Sequence, residues 1–187
     1  MLRALLMACF LFHFISGLTL TVTQLAAIQG ASHAAFSAAA ILAGGMSALG
    51  GYFLQKKKVL MWCAHHIEVV ASLGVTTTAV GAAVLMWGTP DARILVGATF
   101  LVVFSLTGSL YWEILKARSG DGPTWAMRMQ SNNAAAGLAG SCTYFLLLMM
   151  GWDPSLGWAL MMEVAASLIS EVTTVIVFKK YKGPTEK

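Results

Sequence analysis

The amino-acid sequence predicts an all-α integral membrane protein of six transmembrane helices, and three observations carry that prediction. First, 58% of its 187 residues are hydrophobic and only 11% are charged, a balance that excludes an ordinary water-soluble domain. Second, apolar runs recur at roughly the 20 residues that carry a helix across about 30 Å of hydrocarbon. Six such runs with short connections use nearly the whole chain and leave no room for a separate soluble domain. Third, the basic residues separate by side. Taking the connections alternately, Arg3, Lys56, Lys57, Lys58, Lys116, Arg118, Arg128, Lys179, Lys180, Lys182 and Lys187 fall on one side and Arg93 alone on the other. Cytoplasmic loops retain Lys and Arg, so this 11:1 division puts both ends of the chain in the cytoplasm, and adding or losing a span would scramble it.

The first span, about Ala4–Gln24, follows Met1-Leu-Arg3; the run continues past the length of a signal-peptide core and has no A-x-A site at the right distance, so it is read as a span. Ile28–His33 then turns the chain into the second span, about Ala34–Leu54, which ends in Gln55-Lys-Lys-Lys58. The third, Val59–Trp87, leads through the Gly88-Thr-Pro-Asp-Ala-Arg93 turn to the fourth, Ile94–Leu115. A longer connection, Lys116–Asn133, precedes the fifth span, Ala134–Trp152, and the tight Gly151–Ser155 turn opens the sixth, Leu156–Phe178. Trp87, Trp152 and Trp158 at the outer ends and Trp62, Trp112 and Trp125 near the inner ones suit interfacial anchors. Cys9, Cys63 and Cys142 lie in apolar stretches without CxxC spacing, which indicates neither a disulfide framework nor a metal site.

Small residues crowd the second span (Ala38-Ala-Ala40, Gly44-Gly45, Ala48, Gly50-Gly51) and the fifth (Ala134-Ala-Ala-Gly137, Gly140). Lipid offers no hydrophobic drive between helices, so close approach over small side chains supplies the packing energy. These faces are read either as packing inside one bundle or as contacts with a second one.

Charged side chains in the hydrocarbon cost about 2.5–3.5 kcal/mol on insertion scales, so each needs a partner, a cavity or a proton. Counting about ten residues from Lys58 puts Glu68 near the midplane, with His65 and Ser72 one turn to either side as a hydrogen-bonded, proton-carrying trio. Glu163, Ser167 and Glu171 recur every four residues and form one polar stripe on the sixth span. Proton coupling through Glu68, His65, Glu163 and Glu171 is one reading; the other is, for Glu68, a glutamic acid kept neutral by burial and satisfied by a hydroxyl and, for the acids of the sixth span, bracing of the inner helices. Hydroxyls such as Ser16, Thr19 and Thr23 often bond only their own backbone. Asn132 and Asn133, before the fifth span, suit helix caps.

Three stretches resemble the major facilitator superfamily, whose members usually have twelve helices in two six-helix halves. Gly50-Gly-Tyr-Phe-Leu-Gln-Lys-Lys-Lys-Val-Leu60 is similar to the Gly-rich end of its second helix and the basic loop that follows, with Gln55 where the family carries an acid. Gly108-Ser-Leu-Tyr-Trp-Glu113 with Arg118 resembles its fourth-helix end, and Met129–Gly140 the start of its fifth helix. The resemblance implies one half of such a transporter, built of two three-helix inverted repeats, about 4–87 and 94–178, and completed by a second copy. It also implies a cavity lined by the first and fourth spans, with His13, Gln24, Ser105, Ser109, Trp112 and Asn132 toward a solute, and gating by Gly51, Lys56, Lys57, Glu113 and Arg118. By the same analogy the second and fifth helices meet their counterparts across the twofold axis.

The expected function is a secondary transporter of a small solute, working by alternating access as a homodimer in a bacterial-type inner membrane. No G-x-x-x-x-G-K-[ST] loop is present to bind a nucleotide, and no cofactor or nucleic-acid partner is expected. An accessory subunit partnering a different chain is the alternative. A haem protein is disfavoured because the adjacent His65 and His66 point about 100° apart on a helix.

Overall fold

A computed structural model describes residues 2–54, 56–118 and 122–180 of the chain. Among the described residues it is all-helical, with seven helices and no strand: α1 (Leu2–Ile28), α2 (His33–Leu54), α3 (Lys57–His65), α4 (Ile67–Trp87), α5 (Pro90–Arg118), α6 (Gly122–Met149) and α7 (Leu156–Lys180). Four of them, α1, α2, α4 and α7, are long and apolar enough to cross a membrane. The long α5 and α6, of 29 and 28 residues, contain the fourth and fifth apolar runs of the sequence.

The expected third span differs from what is observed. Val59–Trp87 would make a helix of about 44 Å, well beyond the hydrocarbon thickness, and the chain bends at His66 (φ −109°, ψ 45°). The break leaves α4 with 21 residues, roughly 31 Å of helix. Ahead of it, α3 is a nine-residue amphipathic segment that exposes Lys57, Lys58, Met61 and Trp62.

α1 packs on α6 and α7, α5 packs on α2 and α4, and α4 packs on α7. The α1–α6 seam is the closest. A side chain at Gly140 would run into the Phe14 carbonyl and the Leu18 amide, one at Gly17 would meet the Gly137 backbone, and Ala136 is fully buried. Ser141 Oγ donates to the Gly17 carbonyl across it at 3.2 Å. The small residues of the fifth span are therefore largely used inside the chain, where family analogy expected them to face a second copy. α2 behaves differently: only 11% of its apolar window is buried, and Gly44, Gly45 and Gly51 have open space around them.

One end of the bundle is closed by turn chemistry. Gly30 takes the left-handed conformation (φ 77°) and packs on Pro90, and Asp91 accepts bonds from the Ser32 N–H (2.7 Å) and Ser32 hydroxyl (3.1 Å). Ser32 also caps α2 through the Ala35 N–H at 3.1 Å. α6 ends on Gly151 (φ 82°), with the Gly151 N–H bonded to Leu148 O and the Trp152 N–H to Leu147 O, a Schellman ending. At the opposite end Leu5, Ile67, Val70, Leu110, Ile114, Met129, Val177 and Phe178 join five helices in one core.

Candidate functional site

The sixth run was expected to carry a polar stripe, and α7 turns that stripe into the bundle. Glu163 lies seven residues after Leu156 and Glu171 nine before Lys180, so each acid sits roughly 10–14 Å from its own end of the helix. Both are half-buried, and Ser167 between them is buried. Each stripe residue reaches a different helix. Thr19 Oγ1 on α1 lies 2.6 Å from Glu163 Oε1, the hydroxyls of Thr78 on α4 and Ser167 lie 3.2 Å apart, and Tyr111 on α5 donates to Glu171 Oε2 at 2.5 Å.

Two details bear on what these groups can do. Thr19 is fully buried, and its hydroxyl also lies 3.0 Å from the Ile15 carbonyl. A threonine hydroxyl has one proton, so the carbonyl and the Glu163 oxygen compete for it unless the carboxyl supplies a proton of its own. At Glu171, Gly74 leaves room for the carboxylate: a Cβ there would come within 2.7 Å of Oε1, the far end of a flexible side chain, so a larger residue would displace the carboxylate from its present place. Beside it a small cavity of about 10 Å³, lined by Gly74, Thr77, Thr78, Ser167 and Glu171 and closed by Phe100 and Val103, has room for about one water molecule.

Glu68 is not in the middle of a helix. The break at His66 puts it in the first turn of α4, exposed, where its Oε2 lies 3.6 Å from Nζ of Lys179 at the end of α7. The expected His65–Glu68–Ser72 stack is interrupted by the same break; His65 is exposed and packs edge-on against the His66 ring. Ser72 still follows Glu68 by one turn on α4, and both line an open groove between α4 and α7.

The other expected residues scatter. Asn132 Nδ2 donates to the Leu6 carbonyl at 3.0 Å, tying α6 to α1, while the Asn133 Oδ1 beside it is buried without a hydrogen-bond partner among the described residues. His13 is half-buried on α1 with its ring edge-on to Phe12, and Gln24 is exposed near the end of α1. Gly51 has open space, Lys56 Nζ lies 4.3 Å above the Tyr52 ring, and Lys57 is exposed. Ser105, Ser109, Trp112, Glu113 and Arg118 belong to the α5 backbone, and their side chains lie outside the described residues.

Sequence reasoning missed Tyr111, Thr78 and Gly74 as partners of the stripe. Tyr111 is the one phenol in the fourth apolar run, a signal that was available. Thr78 had none, standing in a run of three threonines, and Gly74 is one of 18 glycines.

No protein-family model, curated protein or solved structure matches the chain.

Proposed function

We propose that the protein is a secondary transporter of a small solute, half of a transport unit that two copies complete, with proton coupling through the acids of α7. The observation that carries this reading is the pair Glu163 and Glu171, held inside a membrane bundle and bonded, among the described residues, to the hydroxyls of Thr19 and Tyr111. Ionisable groups within transmembrane segments are costly and mark ion or substrate pathways. A pair of carboxylates at different depths of one helix, each bonded to a different neighbour, is a means of joining ion binding to helix position.

Two further observations favour six spans in two inverted repeats. Exchanging α1, α2 and α3–α4 for α5, α6 and α7 turns the α1–α6 pair into α5–α2, the α1–α7 pair into α5–α4, and the α4–α7 pair into itself. The α5–α6 contact has no comparable counterpart. The open, small-residue face of α2 suits a helix of a second copy, since small residues allow backbones in lipid to approach closely. In this reading both ends of the chain are cytoplasmic, on the side of Lys56–Lys58 and Lys179–Lys180.

Cysteine pairs at Gly44 test the dimer in the native membrane: self-cross-linking is the expected result, and capture of a different chain in its place would favour an accessory subunit. Reconstitution of the purified chain in liposomes with an internal pH dye tests transport. Solute-dependent proton movement is expected. A chain that self-associates yet moves neither solute nor protons, across a panel of small organic solutes, would overturn the proposal.

A further inference from the structure

We propose that Glu171 is the proton-loading site of the bundle, taking a proton at Oε1 from the lysine-bearing end along the groove between α4 and α7. The inference rests on the transporter reading above and names the route that reading needs.

Four observations converge on this carboxylate. The groove runs from Glu68 past Ser72 and Thr76 to Glu171, and the three α4 residues are spaced by four, so they form one polar line down a helix face. Its mouth holds the exposed Glu68–Lys179 pair. Glu171 also lines the small polar cavity with Thr78 and Ser167, so it stands between an open approach and the interior. Finally, its two oxygens are differentiated: Oε2 accepts from Tyr111, whereas Oε1 faces Gly74, where no side chain intrudes. Neither the groove nor the small cavity includes Glu163.

Among the described residues, the titratable groups around Glu171 are Cys9 on α1, Tyr111 on α5, Glu68 beside His66 on α4, and Glu163 and Lys179 two turns away on α7 itself. None of these is a cation in contact with the carboxylate. A metal cation fits the site less well than a proton. Hard cations gather several oxygens, but Thr78 Oγ1 already donates to the Gly74 carbonyl at 3.0 Å and shares a bond with Ser167. The balance is simple: one proton leaves water at the groove, binds Oε1 to give the neutral acid, and departs from the same oxygen.

Hydrophobic carbodiimides modify carboxyls in their acid form within membranes, which makes the site readable on the full-length chain in lipid. With dicyclohexylcarbodiimide and peptide mass spectrometry, the expected result is labelling of Glu171, declining as the buffer is made alkaline, with Glu163 unlabelled. Glu171→Gln should lose the label, and Thr76→Trp, which fills the groove from an exposed position, should slow it. Ser72→Trp serves the same purpose should Thr76→Trp fail to fold. Labelling of Glu163 in preference, or a rate unaffected by either tryptophan, would overturn the route. Suppression by sodium ions at constant pH would replace the proton with a metal cation. The liposome assay separates this proposal from the one it rests on. A chain labelled as expected that moves no solute keeps the proton site and loses the transporter reading; solute-driven proton movement that persists in Glu171→Gln does the reverse.

Discussion

Replacing glycine by alanine should have opposite effects at two positions that the sequence presents as equivalent small residues. At Gly140 the added methyl meets backbone: it would lie 2.8 Å from the Leu18 amide nitrogen and closer still to the Phe14 carbonyl oxygen. Ordinary contact begins near 3.4 Å, so α1 and α6 must part by at least about 0.6 Å, and a gap of that size forfeits roughly a quarter or more of each dispersion contact along the seam. Ser141 would also lose its reach to the Gly17 carbonyl, already 3.2 Å away. Overpacking of this kind costs about 1–3 kcal/mol, against which alanine returns up to roughly 1 kcal/mol of helix propensity. The net expectation for Gly140→Ala is a destabilisation of up to about 2 kcal/mol. Gly44 has open space where its Cβ would go, so Gly44→Ala should leave the single chain as stable or slightly more so, while weakening self-association. Reversible unfolding in mixed lipid–detergent micelles, followed by helical circular dichroism, measures the first effect, and cross-linking yield in membranes the second. A Gly140→Ala chain more stable than wild type would refute the seam, and a Gly44→Ala chain as damaged as Gly140→Ala would refute the claim that the Gly44 face of α2 is open within the chain.

Three other outcomes follow from the same geometry. Thr19→Val and Glu163→Gln, alone and combined, should show a coupling of about 0.5–2 kcal/mol in a double-mutant unfolding cycle, the range of hydrogen bonds inside membrane proteins; additivity of the two would mean the 2.6 Å contact contributes nothing. Ser32→Ala removes the cap on the Ala35 N–H and the hydroxyl bond to Asp91, so it should cost about 0.5–2 kcal/mol in the same unfolding assay, whereas Ser32→Thr should be nearly neutral. Gly74→Val drives a side chain into Glu171 Oε1 and should reduce carbodiimide labelling of Glu171 while leaving overall helicity unchanged; labelling at the wild-type rate would show that the oxygen does not need this opening.

How much of this was legible in the sequence depends on which kind of signal each feature leaves. Much of the helical extent follows from hydropathy, because lipid requires every backbone group to be bonded within its own segment, and the runs read as ending at Leu54, Trp87 and Leu115 reappear as helices ending at Leu54, Trp87 and Arg118. The α7 stripe was legible for the same reason: a spacing of four puts side chains on one face whatever lies opposite. What hydropathy does not encode is where a continuous apolar run bends. The run from Val59 is one stretch by composition, but the bundle needs only the 21 residues from Ile67, and a count from Lys58 therefore carried Glu68 too deep. The partners of the stripe were hidden for a further reason. Which of Thr76, Thr77 and Thr78 faces Ser167 is decided by the rotation of α4 about its own axis, and that rotation depends on how α4 packs against α7, nearly a hundred residues away. The small residues make the same argument from the opposite side. Gly44 and Gly140 carry identical local information, yet one lies open and the other abuts a backbone, because α6 has α1 alongside it and α2 has only α5 and a little of α3. Sequence patterns define the faces of helices in a membrane, and the choice of which faces meet within the chain belongs to packing between segments far apart in it.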